Sequence, residues 1–137
     1  MNTGDTVENY IIGPQLGRGG FGKIFAARDL RDGKVYAIKS ESEATKRKSI
    51  EFETKVLKRI RSIRYFPMIK EHGVYKKLHW ITLELIGPSL SAILKNRESH
   101  KFGLSTGLRA SIHVLRSLKA LHSLGFIHRD IKPANIL

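Results

Sequence analysis

The feature that most restricts the fold is a cluster of four glycines at residues 17–22, flanked by two apolar segments. Residues 10–16 and 23–28 both have the composition of strands. The G-x-G-x-x-G spacing also occurs in dinucleotide-binding loops, but there the glycines open a helix. Because a strand follows here, the sequence predicts a hairpin with a glycine-rich turn. Such a turn either brings backbone N–H groups close to phosphate oxygens or is simply a tight turn.

The remaining sequence predicts further strands and then helices. Asp32-Gly33 is a hairpin signal before a third strand, and an amphipathic apolar spacing predicts a helix after it. Two short apolar segments predict two more strands, and Gly87-Pro88 ends the last of them. The chain is therefore expected to be α+β, with a five-stranded antiparallel sheet and one helix followed by a helical part. The predicted elements are strands 10–16, 23–28, 34–39, 68–73 and 79–85, and helices 49–63, 89–97 and 105–124.

Composition limits the classes of function. The chain has no cysteine, which excludes disulfides and thiolate metal sites and favours a cytoplasmic or nuclear location. No apolar run approaches the length of a membrane span, and the N-terminus lacks the features of a signal peptide. The net charge of +13 favours polyanionic partners such as nucleic acid, anionic membrane or acidic peptides. Because the basic residues are spread along the chain without a nucleic-acid reading motif, we expect no specific nucleic-acid partner.

Lys39 ends the third predicted strand and is the first candidate for a reactive site. A lysine at a strand end is usually solvated, but one that faces a nucleotide pairs with its phosphates. An acidic partner is needed to hold it. Glu53 lies on the apolar stripe of the following helix, with Val56 and Leu57, whereas Glu51 lies on the polar face. We therefore predict Glu53 as the partner of Lys39. The alternative is that Glu53 is an ordinary surface carboxylate paired with a lysine.

The second candidate site is the segment at residues 128–135, His-Arg-Asp-Ile-Lys-Pro-Ala-Asn, directly after the last predicted helix. Asp130 is suited to orient a hydroxyl group, and Lys132 to neutralise a transferring phosphoryl group. Asn135 offers an amide oxygen to Mg²⁺. The combination of these residues with the glycine turn and Lys39 indicates phosphoryl transfer.

Several apolar positions fit a slot for a purine ring, although each also fits an ordinary core. The candidates are Leu16, Ile24 and Ala37 on one side, Leu137 on the other, and the backbone of Glu84 and Ile86 between them.

In this order, the three motifs resemble those of the eukaryotic protein kinase domain, and the similarity covers residues 10–137. Within the kinases, residues 84–90 resemble the hinge of the casein kinase I group, and residues 121–133 resemble its tau-tubulin kinase branch. The resemblance implies an N-terminal extension at 1–9, a kinase N-lobe at 10–86 and a partial C-lobe at 87–137 ending at the catalytic loop. It also implies ATP and Mg²⁺ as cofactors and Ser/Thr hydroxyls of proteins as acceptors.

The resemblance assigns roles to individual residues. Lys39 and Glu53 would form the ion pair, with Asp130 as catalytic base. Lys132 would contact the γ-phosphate and Asn135 would bind metal. Gly17, Gly19 and Gly22 would cover the phosphates.

The kinase pattern continues into an Asp-Phe-Gly motif and more helices, which are not among the 137 residues. The expectation is an N-terminal fragment of a Ser/Thr kinase domain that is inactive alone. The alternative is a nucleotide-binding pseudokinase or regulatory module without turnover.

Overall fold

The computed structural model describes residues 1–19, 22–44 and 49–137. These residues form two compact units, Met1–Leu85 and Ile86–Leu137. Each unit has its own secondary structure.

The first unit is a curled antiparallel sheet with one helix, so the predicted α+β fold class is confirmed. The sheet has six strands in the described residues instead of the five predicted, in the order β1-β2-β3-β4-β6-β5. The additional strand is β1, in which Val7 pairs with Tyr10 and is fully buried. Two residues are too few to show an alternating pattern, so only pairing with β2 reveals this strand. The elements are β1 (Thr6–Val7), β2 (Tyr10–Gly19), β3 (Gly22–Asp29), β4 (Val35–Ser42), α1 (Ser49–Arg59), β5 (Ile69–Tyr75) and β6 (Leu78–Glu84).

The two faces of the sheet have different surroundings because strand side chains alternate. Phe25, Ile38 and Trp80 contribute to a buried cluster on one face. Lys39 and its cross-strand partner Ile81 lie on the opposite face. Helix α1 packs against β4, β5 and β6, and its buried residues include Ile50, Thr54 and Leu57. The sheet thereby positions α1, which carries Glu53.

Helix α1 ends at Arg59, four residues before the predicted end at 63. The Ile63 N–H donates to the Ile60 carbonyl at 2.8 Å, so residues 60–63 form a 3-10-type turn. Ile60 itself is buried, so its apolar character reflects burial of the turn that follows the helix.

A network of charged side chains, here named the Asp29 network, surrounds the fully buried carboxylate of Asp29. Arg31 donates to both Asp29 oxygens, at 2.9 and 2.8 Å, and Lys70 lies 2.7 Å from Oδ2. Arg31 also contacts Glu71 at 2.6 Å, and Lys70 contacts Asp32 at 2.6 Å. The network links the β3–β4 turn to β5 and satisfies a charge that would otherwise be costly to bury.

The second unit contains helices α2 (Leu90–Lys95) and α3 (Leu104–Ser123) and a 3-10 turn at Pro133–Asn135. The Ser89 hydroxyl accepts from the Ala92 N–H at 3.2 Å, which caps α2. Leu108, Ile112 and Leu115 of α3 are exposed and form an apolar stripe on its surface. Within the described residues, no helix is long and apolar enough to cross a membrane.

Candidate functional site

The glycine-rich turn connects β2 and β3, with Gly17 opposite Ile24 and Gly19 opposite Gly22. Gly20 and Phe21, at the tip of the predicted turn, lie outside the described residues. Gly22 has φ +118°, and a Cβ added there would collide with the carbonyl oxygen of Ser40 on β4. Glycine is therefore required at position 22 by the packing of the hairpin on β4, apart from any contact with phosphate.

Lys39 of β4 and Glu53 of α1 form an ion pair with 2.5 Å between Nζ and Oε2. The side chains are 16% and 32% exposed, so the pair is partly shielded from water. Glu53, the glutamate predicted from the apolar stripe, is thus brought against Lys39 by the packing of α1. An ammonium group held in this way has N–H donors left for a second anion, since a lysine has three.

Apolar side chains surround Lys39 on its face of the sheet. Ile24 lies directly opposite Lys39 across the β3–β4 ladder, and Ala37 precedes Lys39 by two residues on the same face. Both are partly buried. Leu16 lies at an irregularity of β2 between Gln15 and Gly17 and is 50% exposed. The structure therefore brings Ile24 and Ala37 beside the lysine, as a purine slot requires, while Leu16 lies at the more open edge.

The other slot candidates lie at the end of the sheet or in the second unit. Glu84 is the last residue of β6, and its N–H donates to the Met68 carbonyl at 2.9 Å. That backbone donor is therefore already used. Ile86 and Leu137 belong to the second unit and are exposed. Their part in the slot stays a prediction.

In the second unit, the loop after α3 brings Asp130, Lys132 and Asn135 together. Lys132 Nζ lies 2.9 Å from Asp130 Oδ2. The Asn135 amide nitrogen donates to the Asp130 backbone carbonyl at 2.8 Å and to its carboxylate at 2.9 Å. The Leu90 N–H donates to the Ile136 carbonyl at 2.8 Å, which attaches the end of the loop to α2. Three predicted site residues thus share one hydrogen-bonded loop.

The hydrogen bond from Lys132 lowers the pKa of Asp130, and the one from Asn135 acts in the same direction. The carboxylate is therefore ionised at neutral pH and can accept a hydrogen bond from a hydroxyl group. This arrangement is suited to orient an alcohol nucleophile beside a lysine cation.

A magnesium ion would find only part of a site in this loop. Because the Asn135 amide nitrogen donates to Asp130, the amide oxygen is the remaining polar atom of that side chain. Oxygen is the ligand type that Mg²⁺ requires. Among the described residues, no group of three or more His, Cys, Asp and Glu side chains could hold a metal. Asn135, with Asp130 nearby, fits a metal that takes its other ligands from elsewhere.

The family model for the protein kinase domain matches residues 10–137. The chain belongs to the protein kinase family. The matched range includes the glycine turn, the Lys39–Glu53 pair and the loop of Asp130.

A similar curated protein is a probable serine/threonine-protein kinase of Dictyostelium discoideum, 32% identical over 126 residues. The alignment covers 92% of this kinase chain and 26% of the relative, so the chain spans about a quarter of that protein's length. Among solved structures, the crystal structure of a kinase domain superposes with a TM-score of 0.89 at 23% identity. It covers 98% of this chain and 41% of the other, and at that identity it establishes the fold.

Sequence reasoning missed one buried group close to the Lys39–Glu53 pair. Glu41 follows Lys39 by two residues on β4 and is 4% exposed. Its Oε1 accepts from the Ser49 hydroxyl at 2.7 Å, and its Oε2 accepts from the Ile50 N–H at 3.1 Å. The available signal was the two-residue spacing, which puts Lys39 and Glu41 on one face of the strand.

Proposed function

We propose that this kinase chain provides the nucleotide-binding unit and the catalytic loop of an ATP-dependent Ser/Thr protein kinase. The observation that carries the proposal is the Lys39–Glu53 ion pair on the same sheet as the glycine turn. A lysine held by a glutamate beside partly buried apolar residues suits a ligand that joins a flat apolar ring to phosphates. The Ser/Thr kinase homologue supports the hydroxyl acceptor.

In the proposed reaction, the first unit binds and orients the nucleotide. Lys39, fixed by Glu53, donates to phosphate oxygens, while Ile24 and Ala37 contact the base. The backbone of Gly17, Gly19 and Gly22 approaches the phosphates where side chains would be excluded. These contacts supply the orientation on which phosphoryl transfer largely depends.

The second unit acts on the acceptor. Asp130 accepts a hydrogen bond from the substrate hydroxyl, and Lys132 lies beside it to balance charge on the phosphoryl group. Asn135 would hold Mg²⁺ through its amide oxygen. When bound, the metal neutralises charge on the phosphate oxygens.

The proposal includes membership of the casein kinase I group, in its tau-tubulin kinase-like branch. The support is the sequence of residues 84–90 and 121–133. The cysteine-free composition supports a cytoplasmic or nuclear location as part of the same proposal.

The test is calorimetric titration of Mg-ATP into the 137-residue chain and its Lys39→Met variant. We expect binding that weakens by about tenfold or more in the variant, because a desolvated phosphate contact is lost. The matched control is Lys34→Met, which removes the same charge from an exposed position before β4. A folded, monodisperse chain that does not bind Mg-ATP, or binds it equally well after Lys39→Met, would contradict the proposal.

A second candidate function is nucleotide binding without turnover. The observation in its favour is the incomplete metal site among the described residues. Transfer of labelled phosphate to Ser/Thr peptides separates the two functions when a chain that continues past Leu137 is compared with its Asp130→Asn variant, because the 137-residue chain alone is expected to be inactive. Turnover that Asp130→Asn abolishes supports the kinase, whereas Mg-ATP binding without turnover supports the second candidate.

A further inference from the structure

Strand β4 contacts helix α1 through two charged side chains. Lys39 reaches Glu53 in the second turn of the helix. Glu41, two residues later, reaches the hydroxyl of Ser49 and the N–H of Ile50 at the helix start. Because residues two apart on a strand share a face, both contacts come from one side of β4.

The contact made by Glu41 is well suited to fix a helix end. The first N–H groups of a helix have no partner within it, and a carboxylate there also interacts favourably with the helix dipole. Both Glu41 oxygens accept hydrogen bonds, and the side chain is almost completely buried. The contact therefore has little competition from water and a defined geometry.

We infer that Glu41 is a positioning residue that fixes the first turn of α1 so that Glu53 meets Lys39. Ile50 and Glu53 are three residues apart, about 4.5 Å along the helix axis. Ile50, Thr54 and Leu57 pack α1 against the sheet, and the two charged contacts on the β4 side limit how far the helix can turn or slide on that surface. Loss of the Glu41 contact therefore leaves Lys39 less often paired. The consequence for nucleotide binding rests on the proposed function, but the consequence for the ion pair does not.

A purely structural cap would behave differently. Removing it would lower the stability of the first unit, yet the Lys39–Glu53 pair would stay formed in the molecules that remain folded. The two roles are therefore separated by measuring the state of Lys39 directly, at a temperature where each variant is folded by circular dichroism.

The first experiment measures the rate at which an amine-reactive reagent modifies Lys39, by peptide mass spectrometry without nucleotide. In Glu41→Ala, α1 loses its hydrogen bonds to the Glu41 carboxylate, and Glu53 should then shield Lys39 less. We expect the reagent to modify Lys39 at least about threefold faster in this variant. Glu41→Gln should restore much of the protection, because its amide oxygen still accepts from the Ile50 N–H. Glu43→Ala, an exposed glutamate two residues further on, is the matched control and should leave the rate unchanged.

A milder variant covers the case in which Glu41→Ala does not fold. Ser49→Ala removes the 2.7 Å bond but keeps the backbone bond of Ile50. We expect a smaller increase in Lys39 modification than in Glu41→Ala. An unchanged rate at Lys39 in folded Glu41→Ala, or in Ser49→Ala if the former does not fold, would overturn the inference.

The second experiment is a double-mutant cycle on Mg-ATP affinity. Glu41→Ala should weaken binding by about threefold to tenfold when Glu53 is present, and should have little further effect in Glu53→Gln. Equal losses in both backgrounds would show that Glu41 does not act through Glu53. If the chain does not bind Mg-ATP, the proposed function fails, while the Lys39 modification rates still decide the role of Glu41.

Discussion

The two units hold their lysine–carboxylate pairs in different ways. Lys39 and Glu53 lie on a strand and a helix, and their side chains are 16% and 32% exposed. Asp130 and Lys132 lie two residues apart in one loop, and their side chains are 45% and 52% exposed. The first pair depends on packing between elements, whereas the second depends on the local path of the backbone.

The Lys39–Glu53 pair lies in the unit that has a buried core, whereas the Asp130–Lys132 pair lies in the more exposed unit. Among the described residues, every buried side chain except Leu121 lies in the first unit. The second unit has short hydrogen-bonded connections and an apolar stripe on α3 that is exposed. Substitutions of buried residues in the first unit should therefore have large effects on stability. Substitutions in the Asp130 loop of the second unit should have small effects.

The largest expected effect comes from Asp29→Ala, which removes the centre of the Asp29 network. Arg31 and Lys70 would lose their buried partner, so we expect a loss of about 3 kcal/mol in the free energy of unfolding. Urea denaturation at neutral pH measures it. Glu8→Ala, at an exposed position near β1, is the control and should have little effect. If Asp29→Ala lowered the free energy of unfolding no more than Glu8→Ala does, buried contacts would not be what stabilises the first unit.

Acid should weaken the first unit through the same network. Hydrogen bonds from Arg31 lower the pKa of Asp29, and the bond from Lys70 lowers the pKa of Asp32 to about 2 from an ordinary value of 3.8. A depressed pKa in the folded state contributes stability that is complete above the unfolded pKa and lost as the pH falls through the folded one. We therefore expect the urea midpoint to fall between about pH 5 and pH 2.

The Asp29→Ala variant provides the control for this pH dependence. Its midpoint should fall less over the same range, because one of the depressed carboxyl groups is absent. An equal fall in the variant would mean that Asp29 does not contribute to the acid sensitivity of the first unit.

Replacing one glycine of positive φ by alanine in each unit tests how tightly the backbone is packed there. Gly22 has φ +118° and Gly125 has φ +81°, but only at Gly22 would a Cβ meet backbone atoms. We expect Gly22→Ala to cost about 2 kcal/mol and Gly125→Ala about 1 kcal/mol. Thermal melts by circular dichroism measure both. Equal losses would show that the first unit is no more tightly constrained than the second.

The smallest effect on stability is expected for Asp130→Asn. The pair with Lys132 is exposed, and exposed ion pairs contribute little to folding. Asn135 can still donate to the backbone carbonyl of residue 130, so the loop should keep its path. We expect no resolvable change in the thermal midpoint, and a clear decrease would show that this loop is a structural element of the second unit.

The sequence alone predicted the α+β fold class and most of its elements. Periodic apolar residues predict strands and helices, and glycines predict the turns between them, because both depend on backbone preferences that act over a few residues. The same locality explains why the partner of Lys39 could be chosen, since Glu53 lies on the apolar stripe of one helix. The loop of Asp130, Lys132 and Asn135 was visible because its residues are adjacent in the chain.

Only the tertiary structure revealed β1, the burial of Glu41 and the Asp29 network. Val7 is identified as a strand residue only by its pairing with Tyr10. Asp29 appears in the sequence as a turn residue, and Glu71 as a polar strand residue, until folding brings Arg31 within 2.8 Å of one and 2.6 Å of the other. Arg31 is close to Asp29 in the chain, but Lys70 and Glu71 come from β5, and partners that are distant in the sequence leave no periodic pattern in it.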